Sequence, residues 1–261
     1  MHPQLIHGFP IQTFGLCVAI GIVAAWTVME KISGRKDVGN LVFLMAFCGI
    51  AGARAAHVIE YWKADGFDKD PLSVFAVWNG GLVFYGGLAA GLVAFALWCA
   101  VKREKPLPLL DLFGVGLPLG HAFGRLGCFF HGCCWGKVSG SWAALTFPPG
   151  SPAYGAHHAF PGAARSLPLL PTQLFESAAL FALFAVLFFV YRRSGKYTAA
   201  LYMSGYAVVR FFMEFLRDDE RPSAFGLSSA QIFSVGLFAA GILLLAYSTR
   251  SRAKASDSIG R

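Results

Sequence analysis

Seven apolar stretches, each close to twenty residues long, limit what this chain can become. They run at about 11–30, 41–62, 82–101, 108–130, 172–191, 198–216 and 229–248. A helix that crosses a bilayer needs about 20 predominantly apolar residues, and it satisfies its backbone polar groups within itself. The sequence therefore predicts an all-α polytopic membrane protein with seven transmembrane helices. Hydrophobic residues make up 56% of the 261 positions and charged residues only 14%, which excludes a soluble domain of this size. The fourth stretch reads as the weakest, because Gly114, Gly116, Pro118, Gly120, Gly124 and Gly127 interrupt it. The first has no basic residue before it and no small-residue cleavage site after it, so it is expected to stay in the mature protein.

Orientation follows from the placement of Lys and Arg. With the N-terminus outside, thirteen basic residues fall in cytoplasmic segments, among them Lys31, Lys102, Arg192 and Arg250, and six fall outside. The split predicts an external N-terminus and a cytoplasmic C-terminus. It also accounts for the net charge of +8 without nucleic acid, since basic helix ends sit well against anionic lipid. Residues 1–250 read as one seven-span membrane domain with an external loop at 136–171, and residues 251–261 as a polar cytoplasmic tail. A connection as long as 136–171 is a lid, an acceptor-binding arm or a loose loop. No internal repeat is visible, so an inverted-repeat transporter is not indicated.

Three arginines, Arg54, Arg125 and Arg210, fall inside apolar stretches. A guanidinium at membrane depth costs roughly 2.5–3.5 kcal/mol on insertion scales, and chains tolerate it where it meets a partner or lines a wet cavity. The pattern points to a buried site for an anionic group, and at that depth a lipid phosphate is the natural one. Around Arg125 the segment Gly120–Gly136 is dense in glycine, which lets a backbone or ligand approach closely. On a helix, His121, Arg125 and Cys128 share a face, with Arg125 either reaching a ligand or sitting in a packing seam. In the stretch 206–217, Tyr206, Arg210, Glu214 and Arg217 share another face, as ligand groups or as a structural ion-pair network. Paired glycines, Gly80–Gly81 and Gly86–Gly87, bracket Tyr85, whose hydroxyl suits a phosphate or an interfacial position. Thr172 reads as a helix N-cap, with Gln173 and Glu176 on one face for a polar contact across the bundle.

Cys128, His131, Cys133 and Cys134 cluster near the external end of the fourth stretch. Their spacing matches no familiar zinc pattern and no second Cys pair closes a site, so no metal is expected. A disulfide is the stronger expectation on the oxidising side of a membrane, provided the chain turns near Gly132. Cys17, Cys48 and Cys99 read as small packing residues.

Taken in order, these segments resemble the prolipoprotein diacylglyceryl transferase family. The resemblance runs from Phe9-Pro10-Ile11-Gln12 through Gly52-Ala53-Arg54, Trp78-Asn79-Gly80-Gly81 and Tyr85-Gly86-Gly87. It continues through Gly124-Arg125-Leu126-Gly127, Pro171-Thr172-Gln173-Leu174-Phe175-Glu176, Tyr206, Arg210, Glu214 and Arg217. It implies a multi-pass enzyme of the bacterial cytoplasmic (inner) membrane, acting in lipoprotein biosynthesis. Such an enzyme moves the diacylglyceryl group of phosphatidylglycerol to the lipobox cysteine of a preprolipoprotein signal peptide, and glycerol phosphate leaves. No cofactor is implied. Arg125, Arg210, Tyr85 and His131 become the catalytic candidates. Arg54, Gly86, Gly87, Gly124, Gly127, Gln173, Glu176, Tyr206, Glu214 and Arg217 become the substrate-binding ones.

The chain departs from the family pattern in places. Tyr85 stands where a His is usual, Cys128 and His131 where Asn is usual, Cys133 where an acid is usual, and Leu170 where a His is usual. Tyrosine is a weak base, with an ordinary pKa of about 10, so His131 is the expected proton acceptor. The alternative is a relative that binds anionic lipid and does redox or metal chemistry at Cys128–Cys134.

Overall fold

The computed structural model describes residues 13–77, 80–160, 162–218, 223–224 and 226–259. The opening motif Phe9–Gln12, the pair Trp78–Asn79 and the charged run Asp219–Arg221 lie outside them. Among the described residues, seven helices are long and apolar enough to cross a membrane. They are α1 (Thr13–Ser33), α2 (Val38–Glu60), α3 (Phe84–Lys102), α4 (Pro106–His131), α6 (Thr172–Ser194), α7 (Thr198–Met213), whose span a 3-10 turn carries on to Leu216, and α8 (Ser229–Ile259); α5 (Pro152–Ala156) is a single short turn. The spans start and stop within a few residues of the sequence expectation. Helix α8 runs further than expected: its backbone stays helical through most of the 251–261 tail, to Ile259.

Contacts divide the chain into two compact units, residues 33–106 and residues 1–32 with 107–261. In the smaller unit, α2 and α3 pack through glycine. A Cβ on Gly86 would lie 2.4 Å from that of Ala56, and one on Gly52 would lie 2.3 Å from that of Ala90. Backbones approach this closely only where no side chain intervenes, the usual way of joining helices in lipid. Arg35 ties the two ends of this unit together, with Nη1 donating to Glu104 at 2.6 Å and Nη2 to Asp37 at 2.7 Å. Its hydrogen bonds hold both carboxyls below their usual range and push its own pKa up.

In the larger unit α4 is the central element. Of its apolar stretch 56% is buried, against 17–22% for the other six. The interruptions that make it the weakest span in sequence are what let it sit inside. Gly116 faces Met29, Gly120 packs beside Gly21, and Gly114 lies against the backbone of Thr198 and Ala199. Hydropathy measures fitness for lipid, whereas α4 mostly meets protein. Asp111 fixes the far end, its Oδ1 accepting from the Ala199 backbone N–H at 3.2 Å.

The 136–171 connection is neither loose nor extended. It folds on a small core of Phe147, Ala153 and Leu169, with Phe129 and Trp135 packed against it. Isolated bridges join Val138 and Leu145 to Leu169, and His158 to Ser166. The Ser166 hydroxyl accepts from the Phe147 N–H at 2.9 Å.

Candidate active site

Helices α4, α6 and α7 bring ionisable groups together inside the larger unit. The Ser177 hydroxyl donates to the Ala122 carbonyl at 3.0 Å and sets α6 against α4. One residue before it, fully buried Glu176 meets Arg125, Nη2 to Oε1, at 2.8 Å. Tyr206 on α7 lies within hydrogen-bonding reach of Arg125. His121, one turn before Arg125, sets its ring edge-on to Tyr206 with centroids 4.7 Å apart, and Tyr202 stacks on Tyr206 at 6.0 Å. Arg210, one turn beyond Tyr206, pairs with Glu214 at 2.7 Å. The Ser228 hydroxyl donates to Glu214 Oε1 at 2.6 Å and holds that carboxylate. Arg125 and Arg210 thus each stand one helical turn beyond a member of the His121–Tyr206 aromatic pair.

Each arginine spends only part of its fork on its carboxylate. Among the described residues Arg125 Nε, Arg210 Nη1, Glu176 Oε2 and Gln173 Oε1 are buried without a hydrogen-bond partner. Leaving a buried polar group unpaired costs about 1–3 kcal/mol, and more when it is charged. Spare donors on two rigidly held cations make a site suited to a multidentate oxyanion.

Helix α4 ends at His131 and runs into a tight turn. Gly132 takes φ 78° and Cys134 φ 65°, so the chain reverses directly after His131. A Cβ on Gly132 would lie 2.8 Å from that of Ser151, so space and conformation both require glycine there. Thr172 is not the N-cap expected from sequence. Pro171 occupies that position with no side-chain cap, because the Thr172 hydroxyl instead donates to the Cys134 carbonyl at 2.8 Å. Gln173 donates through Nε2 to the Cys133 carbonyl at 2.7 Å. The expected turn near Gly132 is present, yet all six cysteines are free thiols, including the three for which a disulfide is anticipated. Sulfhydryl hydrogen bonds from Cys128 and Cys133, joined by the charge of Arg217, pull the Cys134 thiol well below its ordinary range.

Arg217 does not share the helical face of Tyr206, Arg210 and Glu214. Helix α7 ends at Met213, a 3-10 turn covers Glu214–Leu216, and Arg217 is extended at φ −86°, ψ 154°. The backbone leaves the helix because Gly136 bridges Arg217 and the Lys137 N–H donates to the Leu216 carbonyl at 2.9 Å. The side chain is thereby turned to Cys134. Gly124 has open space where a Cβ would stand, whereas Gly127 packs on Phe14 and Cys17 of α1. His131 is half-buried at the last position of α4.

Within the smaller unit, Arg54 is occupied by backbone. Its Nε donates to the Val74 carbonyl at 2.8 Å, Nη2 to Ser73 at 2.7 Å, and Nη1 to Gly80 at 2.9 Å and Gly81 at 3.2 Å. The Phe67 ring lies 5.2 Å from the guanidinium carbon. This arginine organises the loop that leads into α3. His57 beside it meets Asp65 at 2.7 Å. Gly86 and Gly87 serve the α2–α3 seam, and Tyr85 at the start of α3 is 66% exposed, touching Phe84 edge-on.

Sequence reasoning placed His121 on the face of Arg125 without giving it a role, and passed over Tyr202 and Ser177. The i, i+4 spacing from Tyr202 through Tyr206 to Arg210 was the available signal.

Among the described residues, seven long apolar helices and buried arginine–carboxylate pairs define a multi-pass membrane protein. Comparison with known proteins narrows this. The prolipoprotein diacylglyceryl transferase family model matches residues 3–247. The chain is 34% identical over 248 residues to phosphatidylglycerol–prolipoprotein diacylglyceryl transferase 2 of Clostridium perfringens, covering 92% of this chain and 91% of that one. It is 32% identical to the phosphatidylglycerol–prolipoprotein diacylglyceryl transferase of Burkholderia thailandensis over 282 residues, covering 95% of each. With the Burkholderia ambifaria enzyme of the same name the identity is 31% over 297 residues, covering 96% and 95%. The chain belongs to the prolipoprotein diacylglyceryl transferase family, and is a transferase of the membrane.

Proposed function

We propose that this enzyme takes the diacylglyceryl group of phosphatidylglycerol and places it on the lipobox cysteine thiol of a preprolipoprotein, in the bacterial cytoplasmic membrane. The observation that carries the reading is the pair of buried arginines, Arg125 and Arg210, flanking Tyr206 with spare donors on each. A phospholipid phosphate is anionic when it binds and gathers more charge as it departs. Fixed cations in a water-poor site stabilise that developing charge, usually the largest single catalytic contribution.

The residues then divide the work. Arg125 and Arg210 hold the phosphate, with Glu176 and Glu214 fixing the direction of each fork. Tyr206 places a hydroxyl between them. A carbon–sulfur bond forms at the glyceryl carbon, the carbon–oxygen bond to phosphate breaks, and glycerol phosphate leaves with the electron pair. The imidazole of His131 suits the thiol proton better than the phenol of Tyr85.

The test uses the purified full chain with radiolabelled phosphatidylglycerol and a lipobox peptide. Label should appear on the peptide together with free glycerol phosphate, and a peptide with serine at the lipobox cysteine should receive none. Lipid binding without transfer to the cysteine peptide would sink this reading in favour of a lipid-binding relative.

A further inference from the structure

Cys128, Cys133 and Cys134 do not enter the phosphate chemistry, yet the fold gathers them. Their three sulfur atoms all lie within 4.8 Å of one another, each half-buried. Three ligands tetrahedrally disposed at about 2.3 Å from a zinc ion are about 3.8 Å apart. Closing the remaining distance needs about 1 Å, which side-chain rotation supplies. The backbone is already held for it. Gly132 and Cys134 are left-handed, and the side chains of Gln173 and Thr172 grip the Cys133 and Cys134 carbonyls at 2.7 and 2.8 Å. A site whose ligands come from the last turn of α4 and the tight turn after it, with that turn pinned from a second helix, is organised before any ion arrives.

We propose that these three cysteines form a three-thiolate site for zinc, whose fourth position takes the thiol of the acceptor. The donor set is soft and sulfur-only, which selects zinc or copper(I) over magnesium or calcium. Three protein ligands with one position left open is the arrangement of catalytic rather than structural zinc. A divalent ion with three thiolates carries one net negative charge. Arg217 beside Cys134 and the field of Arg125 offset it.

The role of the fourth position rests on the transferase reading. A thiol that binds zinc loses its proton outright, to solvent in this case. The zinc-bound sulfur attacks the glyceryl carbon, the carbon–sulfur bond forms, and the carbon–oxygen bond breaks with its electron pair leaving on glycerol phosphate. The product is a neutral thioether, a weaker ligand than a thiolate, so it departs and the position reopens. A chain whose other candidate bases are His131 and Tyr85 thereby acquires a thiolate at neutral pH.

Cobalt(II) and zinc titrations of the purified chain test the site directly. One equivalent of cobalt should give the thiolate charge-transfer band of a sulfur-ligated ion, and zinc should abolish it. X-ray absorption of the zinc form should show three sulfur neighbours at about 2.3 Å. Cys133→Ser and Cys134→Ser should each weaken binding at least tenfold, while Val208→Ala, on α7, leaves it unchanged. Adding the lipobox peptide should raise the sulfur count to four, and the serine peptide should not. Absence of stoichiometric binding in the wild-type chain overturns the site, whatever the cysteine variants do. Binding with no fourth sulfur overturns the acceptor role. A copper(I) preference with three sulfurs and no further ligand does the same. Transfer activity in a metal-free chain removes zinc and leaves the transferase standing; metal binding without transfer removes the transferase and leaves the site.

Discussion

Arg125 and Glu176 meet at 2.8 Å between α4 and α6, and the contact leaves Arg125 Nε and Glu176 Oε2 buried without hydrogen-bond partners. The pair is therefore a fixed holder for one cation rather than a closed salt bridge. Removing one member of a buried ion pair costs about 3–5 kcal/mol, because the other charge is stranded. Glu176→Leu should lower the thermal unfolding temperature in detergent and abolish transfer. Arg125→Ala and Arg210→Ala should insert normally and lose transfer by about 100-fold or more, as for other groups that stabilise developing charge. Arg210→Lys should recover little, since an ammonium does not reproduce the planar fork. Full activity in Arg210→Ala would reduce that residue to a partner for Glu214.

The cluster at the ends of α2 and α3 makes a prediction about acid. Hydrogen bonds from Arg35 depress the folded pKa of both Asp37 and Glu104. A carboxyl depressed on folding contributes stability fully above its unfolded value, about 4, and loses it as pH falls through the folded value. The wild-type chain should thus lose thermal stability in detergent below about pH 4 more steeply than Arg35→Ala. Parallel slopes for the two proteins would show that the cluster adds nothing.

The glycines divide into two kinds. At Gly86 a Cβ would lie 2.6 Å from the Gly52 carbonyl oxygen as well as against Ala56. Gly86→Ala should cost about 1–3 kcal/mol by forcing α2 and α3 apart. Gly124 has nothing within 4 Å of such an atom, so Gly124→Ala should fold as the wild type does. Thermal unfolding of the two variants side by side decides it, and equal destabilisation would refute the packing account.

The thirteen-to-six charge split motivates a topology with Ser194 in the cytoplasm and His157 outside. Ser194→Cys in intact cells should resist a membrane-impermeant thiol reagent until the cells are broken. Labelling from outside would reverse the orientation.

Much of this architecture was legible because length and polarity speak directly to lipid. Seven spans could be counted, and Arg125, Arg210 and Glu214 stood out against apolar neighbours. What the sequence withheld depends on partners far along the chain. Glu176 could be seen to begin a helix, but not that it reaches Arg125, 51 positions away. Arg54 looked the same as the other two buried arginines, yet its charge is absorbed by four backbone carbonyls, which no side-chain pattern announces. Span four looked poor because hydropathy reads a glycine as a weak lipid contact, although against Gly21 and Ala199 it permits close packing. Thr172 and Arg217 were misplaced for a common reason: tertiary hydrogen bonds from the 133–137 turn override the local helical preference.

The bond between Lys137 and Leu216 has a consequence for how the protein is made. The two residues are separated by about 80 positions of chain, and a ribosome adding 5–20 residues per second needs roughly 4–16 s to pass from one to the other. During that interval α4 and the turn of cysteines already exist, while α7, with Tyr206 and Arg210, does not. The proposed phosphate site is thus a late product of synthesis, assembled by the last helices to arrive. Chains truncated after Lys196 and released should insert five spans and leave the 136–171 segment open to protease, and protection at that stage would mean that the segment closes without α7.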